Sequence, residues 1–363
     1  MRMPVRTAGQ LRVPPCVIVG LRGIALIVAS ASGLRGQVPG SIPPQPEHGA
    51  RDAVDASVEQ VSLAMDRFLT PSTQLQGSGE LLALPHPEVV DALRMRVFQA
   101  IPAVEPSVRS MACSILARVV EEDPTLARDL IFKGVEDDLG VVSLLPLMAA
   151  FTGEDAPVAV DIVHRLLLKY RMRAEDRGFA DTIENQTVGK AIDVLRRLGD
   201  KSADYQSLCR TYLLRSDVPA GIRRSSARAT LRAELPETEF LSTIESVRDA
   251  DGRTAVMFTL AEMGEAGRLR FGENDISTDG RDRVEQYALD SLAHANEQAV
   301  KAAWSTASAV FGSRAWTQKA DGGFERNARL VEALITAAAR VENSKLSEEL
   351  ARTIESLEHN GDK

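Results

Sequence analysis

From about residue 49 onward, apolar residues recur at spacings of three and four, and that period constrains the fold class more than any other feature. In ARDAVDASVEQVSLAMDRFL the residues Val54, Val58, Val61, Met65 and Leu69 fall on one stripe. A helix turns once in about 3.6 residues, so such positions share one face. Pro71 closes the stretch, because it lacks the N–H that a helix interior needs. HPEVVDALRMRVFQAI repeats the pattern with Val89, Leu93, Val97 and Ile101. No stretch of several residues alternates convincingly with period two, and no Asn-Gly turn separates two apolar runs. Strands and hairpins are therefore not expected, and residues 49–363 are predicted to be all-α.

The helical runs are separated by short breaks at EEDP, GEDAP, RLGDK, RSDVPAG, ELPETE, DADG and HANE. Asp or Ser in such a break caps the next helix, and Pro fits its first turn. Many helices joined by short connections favour an α-solenoid over a compact bundle. The stretch EPSVRSMACSILARVV, residues 105–120, supplies a unit: Val108-Arg109, then Ala112, Leu116 and Val119. The small Ala112 lets neighbouring helices approach, and Leu116 and Val119 fill the layer between units. The same frame recurs as Arg224, Ala227, Leu231 and as Arg253, Val256, Leu260, Met263, Gly264. Ala191, Leu195, Leu198 and Gly199 match its second half, and Val300, Lys301, Trp304, Phe311 and Gly312 match it loosely.

This pattern, Val-Arg-x-x-Ala-x-x-x-Leu-x-x-Leu-Gly, resembles the second helix of HEAT repeats, over about residues 85–312. The resemblance implies a curved, right-handed α-solenoid of stacked helical hairpins, of armadillo-like type, serving as a protein-binding scaffold. It implies neither an enzyme nor a particular partner. Two departures stand out: Arg223 occupies the place of the usual apolar residue before Arg224, and segment 123–190 fits poorly. An arginine at the start of an inner helix is expected to bridge acidic side chains or carbonyl ends of the preceding unit, fixing the stacking register. Arg109 is read in that way.

The first 31 residues differ from the rest. They carry Arg2, Arg6, Arg12 and Arg22, no acid, an apolar segment, and then Ala29-Ser30-Ala31, a small-residue cleavage pattern. Residues 1–31 are expected to be a secretory signal, and 32–48 a Pro/Gly-rich linker. An uncleaved anchor is disfavoured, because a spanning helix needs about 20 apolar residues and Arg22 interrupts the run. The expected location is periplasmic or extracellular. The basic residues are mostly arginine, 35 against 8 lysines, a usage that fits a GC-rich bacterial genome. Cleavage would take the net charge from −8 to −12, which disfavours nucleic acid as a partner because phosphate contacts need clustered positive charge. Cys113 and Cys209 lie in separate helical units and are expected to be buried free thiols.

The chain is sparse in recognisable chemistry. Its five histidines, His48, His86, His164, His294 and His359, are scattered, and no pair has the i, i+4 spacing of two metal ligands on one helix. No nucleophile elbow, phosphate-binding glycine loop or Cys-x-x-Cys is present, and no metal or cofactor is expected. DISTDGRDRVEQ, residues 275–286, opens like a calcium loop but places Asp282 and Gln286 where an apolar residue and a bidentate Glu belong. An acidic turn capping a helix that begins near Asp282 is the preferred reading.

Two surface features point to binding. Residues 160–232 hold 15 Lys and Arg against 9 Asp and Glu. Among these, Arg165, Lys169, Arg171, Arg173, Arg196, Arg197, Arg223 and Arg224, with Arg228, could align into a ridge for an acidic protein partner. The competing reading is a set of solvated helix faces balanced by nearby acids. Trp316, near Trp304 and bounded by Gly312, Gly322 and Gly323, is the other candidate contact residue. The expected function is a non-catalytic exported scaffold for protein–protein interaction. The alternatives are an enzyme or accessory subunit with a site spread over several helices, and a structural component of the envelope.

Overall fold

The computed structural model describes residues 48–99, 105–138, 141–294, 300–318, 320, 324–341, 348, 349, 351 and 352. The expected signal and all of the expected linker but His48 lie outside these residues, as does Ile101. Fifteen α-helices are described. The first eight are α1 (His48–Leu69), α2 (Gln74–Leu82), α3 (His86–Leu93), α4 (Pro106–Glu122), α5 (Pro124–Glu136), α6 (Val141–Leu144), α7 (Asp155–Asp176) and α8 (Thr182–Arg197). Then follow α9 (Ala203–Leu214), α10 (Ala220–Leu231), α11 (Glu237–Ser246), α12 (Ala250–Met263), α13 (Thr278–His294), α14 (Val300–Phe311) and α15 (Ala328–Ala338).

Two of the breaks, EEDP and DADG, act as the sequence predicts, whereas at GEDAP, RLGDK, RSDVPAG and ELPETE the residue before the helix makes no side-chain cap bond. Asp123 caps α5 by accepting from the Thr125 N–H at 3.0 Å, with Pro124 in the first turn. Asp249 caps α12 by accepting from the Gly252 N–H at 3.1 Å. Asp181 caps α8 through Ile183 and Glu184, a break the sequence reading did not identify. Such caps satisfy the backbone donors that have no partner within the first helical turn.

The even-numbered helices pack in a row: α2 on α4, α4 on α6, α6 on α8, α8 on α10, α10 on α12, and α12 on α14. Every recurrence of the Ala-Leu frame lies on this row. Ala112, Leu116 and Val119 of α4, Ala191 and Leu195 of α8, Ala227 and Leu231 of α10, and Val256 and Leu260 of α12 are all buried. The poor match over 123–190 also has a cause. The row is filled there by α6, four residues long, which runs into a 3-10 turn over Leu145–Ala150 with Pro146 at its start. Among the odd-numbered helices, α3 packs on α5, α5 on α7, α11 on α13, and α13 on α15. Helix α9 packs on α10 but makes no extensive contact with α7 or α11. Two apolar clusters meet at α9 and α10, which contribute to both.

Some expectations need correction. Val58 is exposed, and the core face of α1 runs through Val61, Ala64, Met65 and Phe68. The face turns toward the ring of Phe68, whose burial removes the most apolar area from water. The chain is not purely helical. β1 (Arg270–Phe271) pairs antiparallel with β2 (Asn274–Asp275), and β3 (Trp316–Gln318) with β4 (Phe324–Arg326). Gly272 turns the first ribbon at φ +66°, a left-handed conformation that glycine adopts without a Cβ penalty. Gly272-Glu273 therefore makes the tight turn that a search for Asn-Gly passes over. Helix α13 starts at Thr278, ahead of the expected Asp282, and Ser277 caps it by accepting from the Gly280 N–H at 2.9 Å. Asp275 is in β2, ion-paired with Arg270 at 3.1 Å, so the calcium-like spacing spans a strand end and a helix.

Cys113 and Cys209 are buried free thiols. Among the described residues no helix is long and apolar enough to cross a membrane.

Candidate functional site

Because α9 stands away from α7 and α11, a cleft opens on each side of it. The first, about 700 Å³, lies between α7 and α9 and is lined by His164, Arg171, Leu168, Glu175, Leu208 and Arg215, among others. The second, about 600 Å³, lies between α9 and α11 and is floored by the C-terminal ends of α8 and α10. Tyr205 lines both, its hydroxyl donating to the Ile192 carbonyl at 2.8 Å.

Two polar groupings mark the first cleft. His164 Nε2 lies 2.7 Å from Asp200 Oδ2, and Asp200 also accepts from the Ser202 N–H at 2.9 Å. The Tyr212 hydroxyl donates to Glu175 at 2.8 Å, and Arg215 and Arg171 approach the same carboxylate at 3.5 and 3.7 Å. Burial, with the Glu175 carboxylate second, makes the Tyr212 phenol less acid than usual, and burial does the same at Tyr205. Behind Tyr205 the Cys209 thiol is pushed up to about 12 by burial. His164 and Tyr212 are thus held by carboxylates, and the Cys209 thiol is kept protonated. Among the described residues no group of three His, Cys, Asp or Glu side chains is placed to hold a metal ion.

The basic residues singled out in the sequence are dispersed. On α7, Arg165 pairs with Glu136 at 2.9 Å and Asp161 at 3.1 Å, and Lys169 pairs with Asp138. Arg173 stacks over the Tyr170 ring, its guanidinium 5.5 Å from the centroid. Arg165 and Arg171 line the first cleft, whereas Arg196 lines the second and Arg197 is exposed. Arg224 and Arg228 turn toward Glu262 of α12, at 3.5 and 2.9 Å, and Arg224 also covers the Phe258 ring. Burial raises the Glu262 carboxyl, but Arg228, Arg232 and Arg224 outweigh it and leave the pKa below the usual value. Trp316 is exposed on β3, an element separate from these helices.

Arg223 is not a surface residue. It is fully buried, with bonds from Nη1 and Nη2 to Asp249 at 2.5 and 2.6 Å and from Nη2 to the Leu213 carbonyl at 2.9 Å. Gly252 makes room for it, since a Cβ there would overlap Arg223 Nη2 and Val247 Cγ1. The register-fixing role read for Arg109 is thus filled at Arg223. It ties the C-terminal end of α9 to the N-terminus of α12 and explains why an arginine replaces the apolar residue of the frame.

Sequence reasoning missed the pairing of His164 with Asp200 and the cluster of Glu175, Tyr212 and Arg215. Their members lie 36 to 40 residues apart, on successive helical units, where local spacing carries no signal. Comparison of the chain with protein-family models, with curated proteins and with solved structures returns no match.

Proposed function

We propose that the chain is a HEAT-like, right-handed α-solenoid that acts as a non-catalytic scaffold for a protein partner. One observation carries the reading: helices α8, α10, α12 and α14 stay packed in a row while α9 stands off from α7 and α11. A firm inner row with a cleft on each side of one outer helix suits the docking of another chain. The confinement of the Ala-Leu frame to even-numbered helices supports a two-helix repeat. Arg165, Arg171 and Arg215 along the first cleft favour an acidic partner. The arginine-flanked leader, with Ala29-Ser30-Ala31, favours export and a mature chain starting at Ser32.

In-cell photo-crosslinking from position 168, where Leu168 is exposed on the rim of the first cleft, tests the scaffold role. The expected result is one dominant crosslinked protein, lost when Leu208→Trp fills the cleft. Crosslinks spread over many abundant proteins and insensitive to Leu208→Trp would overturn it. Mass measurement of the native protein tests export: an intact Met1 terminus would refute cleavage.

A further inference from the structure

From α3 to α15 the odd-numbered helices pack on their neighbours in the row except at α9. On the first cleft this gap leaves apolar surface uncovered. Leu168 and Met172, one turn apart on α7, are 54% and 55% exposed. Leu208 lines the cleft from α9 and is only partly buried. The α7 side runs from His164 through Leu168 and Arg171 to Glu175, residues spaced to share one face. That face spans eleven residue steps, about 16 Å of helix. Arg165, Arg171 and Arg215 line the cleft with more than a third of each side chain exposed. They pair with Glu136, Asp161, Glu175 and Asp217, each 30% exposed or more. Pairs so exposed are weak and can be exchanged for another carboxylate.

The chain itself holds a segment that fits. Residues 345–358, KLSEELARTIESLE, place Leu346, Leu350, Ile354 and Leu357 at helical spacing on one stripe. From Leu346 to Leu357 is again eleven residue steps, so stripe and cleft match in length. The other positions of the segment carry four acids against two bases. Glu348, Glu349, Ala351 and Arg352 are helical and exposed, with Arg352 donating to Glu348 one turn back at 3.3 Å. We propose that the first cleft takes this segment from a second copy of the chain, its apolar stripe on Leu168 and Leu208 and its acids toward the arginines. The proposal rests on reading the first cleft as a docking surface and names the occupant. The donor is a second copy because the segment cannot reach its own cleft. Val341, just ahead of it, packs on the second apolar cluster. From Val341 to Leu346 is five residues, at most about 18 Å of extended chain. The first cleft lies beyond α13, α11 and α9 from α15, about 30 Å away at about 8–10 Å per packed pair of axes. The contact is head-to-tail: each copy offers its cleft to one neighbour and its segment to another, which gives open series or closed rings.

The test is sedimentation velocity on the full chain over a concentration series. The wild type should grow in mass with concentration. Leu168→Asp, which spoils the cleft, and Leu350→Asp, which spoils the stripe, should each weaken association about 10- to 100-fold, the effect of losing a buried apolar anchor. Leu168 is exposed in the free chain, so Leu168→Asp should keep the wild-type melting temperature. Mixing the two folded variants should restore association, but only to a pair, because one chain keeps a working segment and the other a working cleft. A peptide of residues 343–360 should disperse the wild-type assemblies, and the same peptide carrying Leu350→Asp should not. Should the Leu350→Asp chain misfold, the two peptides replace it. A monomeric wild type, association unchanged by Leu168→Asp, or a mixture of folded variants that stays monomeric overturns the proposal. The scaffold reading is judged apart from it. A monomeric chain that still crosslinks one dominant foreign protein from position 168 sinks this proposal alone. Copies that associate as expected but crosslink to no other protein uphold it and sink the foreign partner alone.

Discussion

Removing Asp249 should damage this protein far more than removing its partner Arg223. The guanidinium of Arg223 has no solvent exposure, whereas the Asp249 side chain is about a third exposed. Asp249→Ala strands a buried cation that cannot shed its proton, leaving it only the Leu213 carbonyl, which it reaches at 2.9 and 3.2 Å. Breaking a buried pair from one side costs about 3–5 kcal/mol. The lost cap on α12, where Asp249 accepts from Gly252, adds about 1 kcal/mol. Arg223→Met removes the buried charge itself. It leaves a carboxylate that water can reach and that still caps α12, so the cost should be about 1–2 kcal/mol from the unpaired Leu213 carbonyl and imperfect packing. In Arg223→Met/Asp249→Ala no charge remains to be stranded, and the double variant should recover about 3–5 kcal/mol of the summed losses. Urea unfolding followed by circular dichroism measures these differences. Hydrogen exchange over α10 and α12 should accompany it, because repeat arrays need not unfold in one step. If Asp249→Ala is no more destabilising than Arg223→Met, or the two losses simply add, the buried pair is not what joins α9, α10 and α12.

The same pair sets a pH dependence. Arg223, the largest influence, holds the Asp249 carboxyl below its usual range. Its stabilisation is therefore complete above the unfolded value of about 3.9 and is lost as pH falls through the lower folded value. Asp249→Asn should flatten that part of an acid-unfolding profile. Ala112→Leu should overpack α4, where Ala112 is fully buried, and cost roughly 1–3 kcal/mol; a wild-type melting temperature would show the frame to be misplaced. Gly252→Ala should destabilise by a similar amount through the overlap with Arg223, although alanine is ordinarily the better helix former by about 1 kcal/mol; the sign, read from thermal unfolding, decides between packing and propensity. If an acidic partner is steered by the exposed cations, reversing Arg165, Arg171 and Arg197 to Glu should slow its association at low salt and leave the fold intact, with surface plasmon resonance as the assay.

The helical class was legible because the apolar period survives in single stretches, as in Val89, Leu93 and Val97, all of which are buried. The burial of the Ala-Leu positions was legible for a related reason: a small residue followed by two leucine-type positions states where helices cross. The pairing of charges was not. Arg223 read as a surface cation because most arginines are exposed, and nothing adjacent to it in the chain shows that Asp249 will meet it. Yet the separations have a pattern. Arg128 meets Asp155 at 27 residues, Arg165 meets Glu136 at 29, and Arg210 meets Glu239 at 29. Arg223 meets Asp249 at 26, Arg228 meets Glu262 at 34, and Arg283 meets Glu245 at 38. Each of these cations meets an acid two helices along the chain, so the pairs keep spans of 26 to 38 residues. An excess of 15 cations over 9 acids within 160–232 then overstates the free charge, because Glu136, Asp138, Glu239, Asp249 and Glu262 answer it from outside that window. In an all-helical chain like this one, a basic block should be weighed against acids two helices away on either side before it is read as a surface.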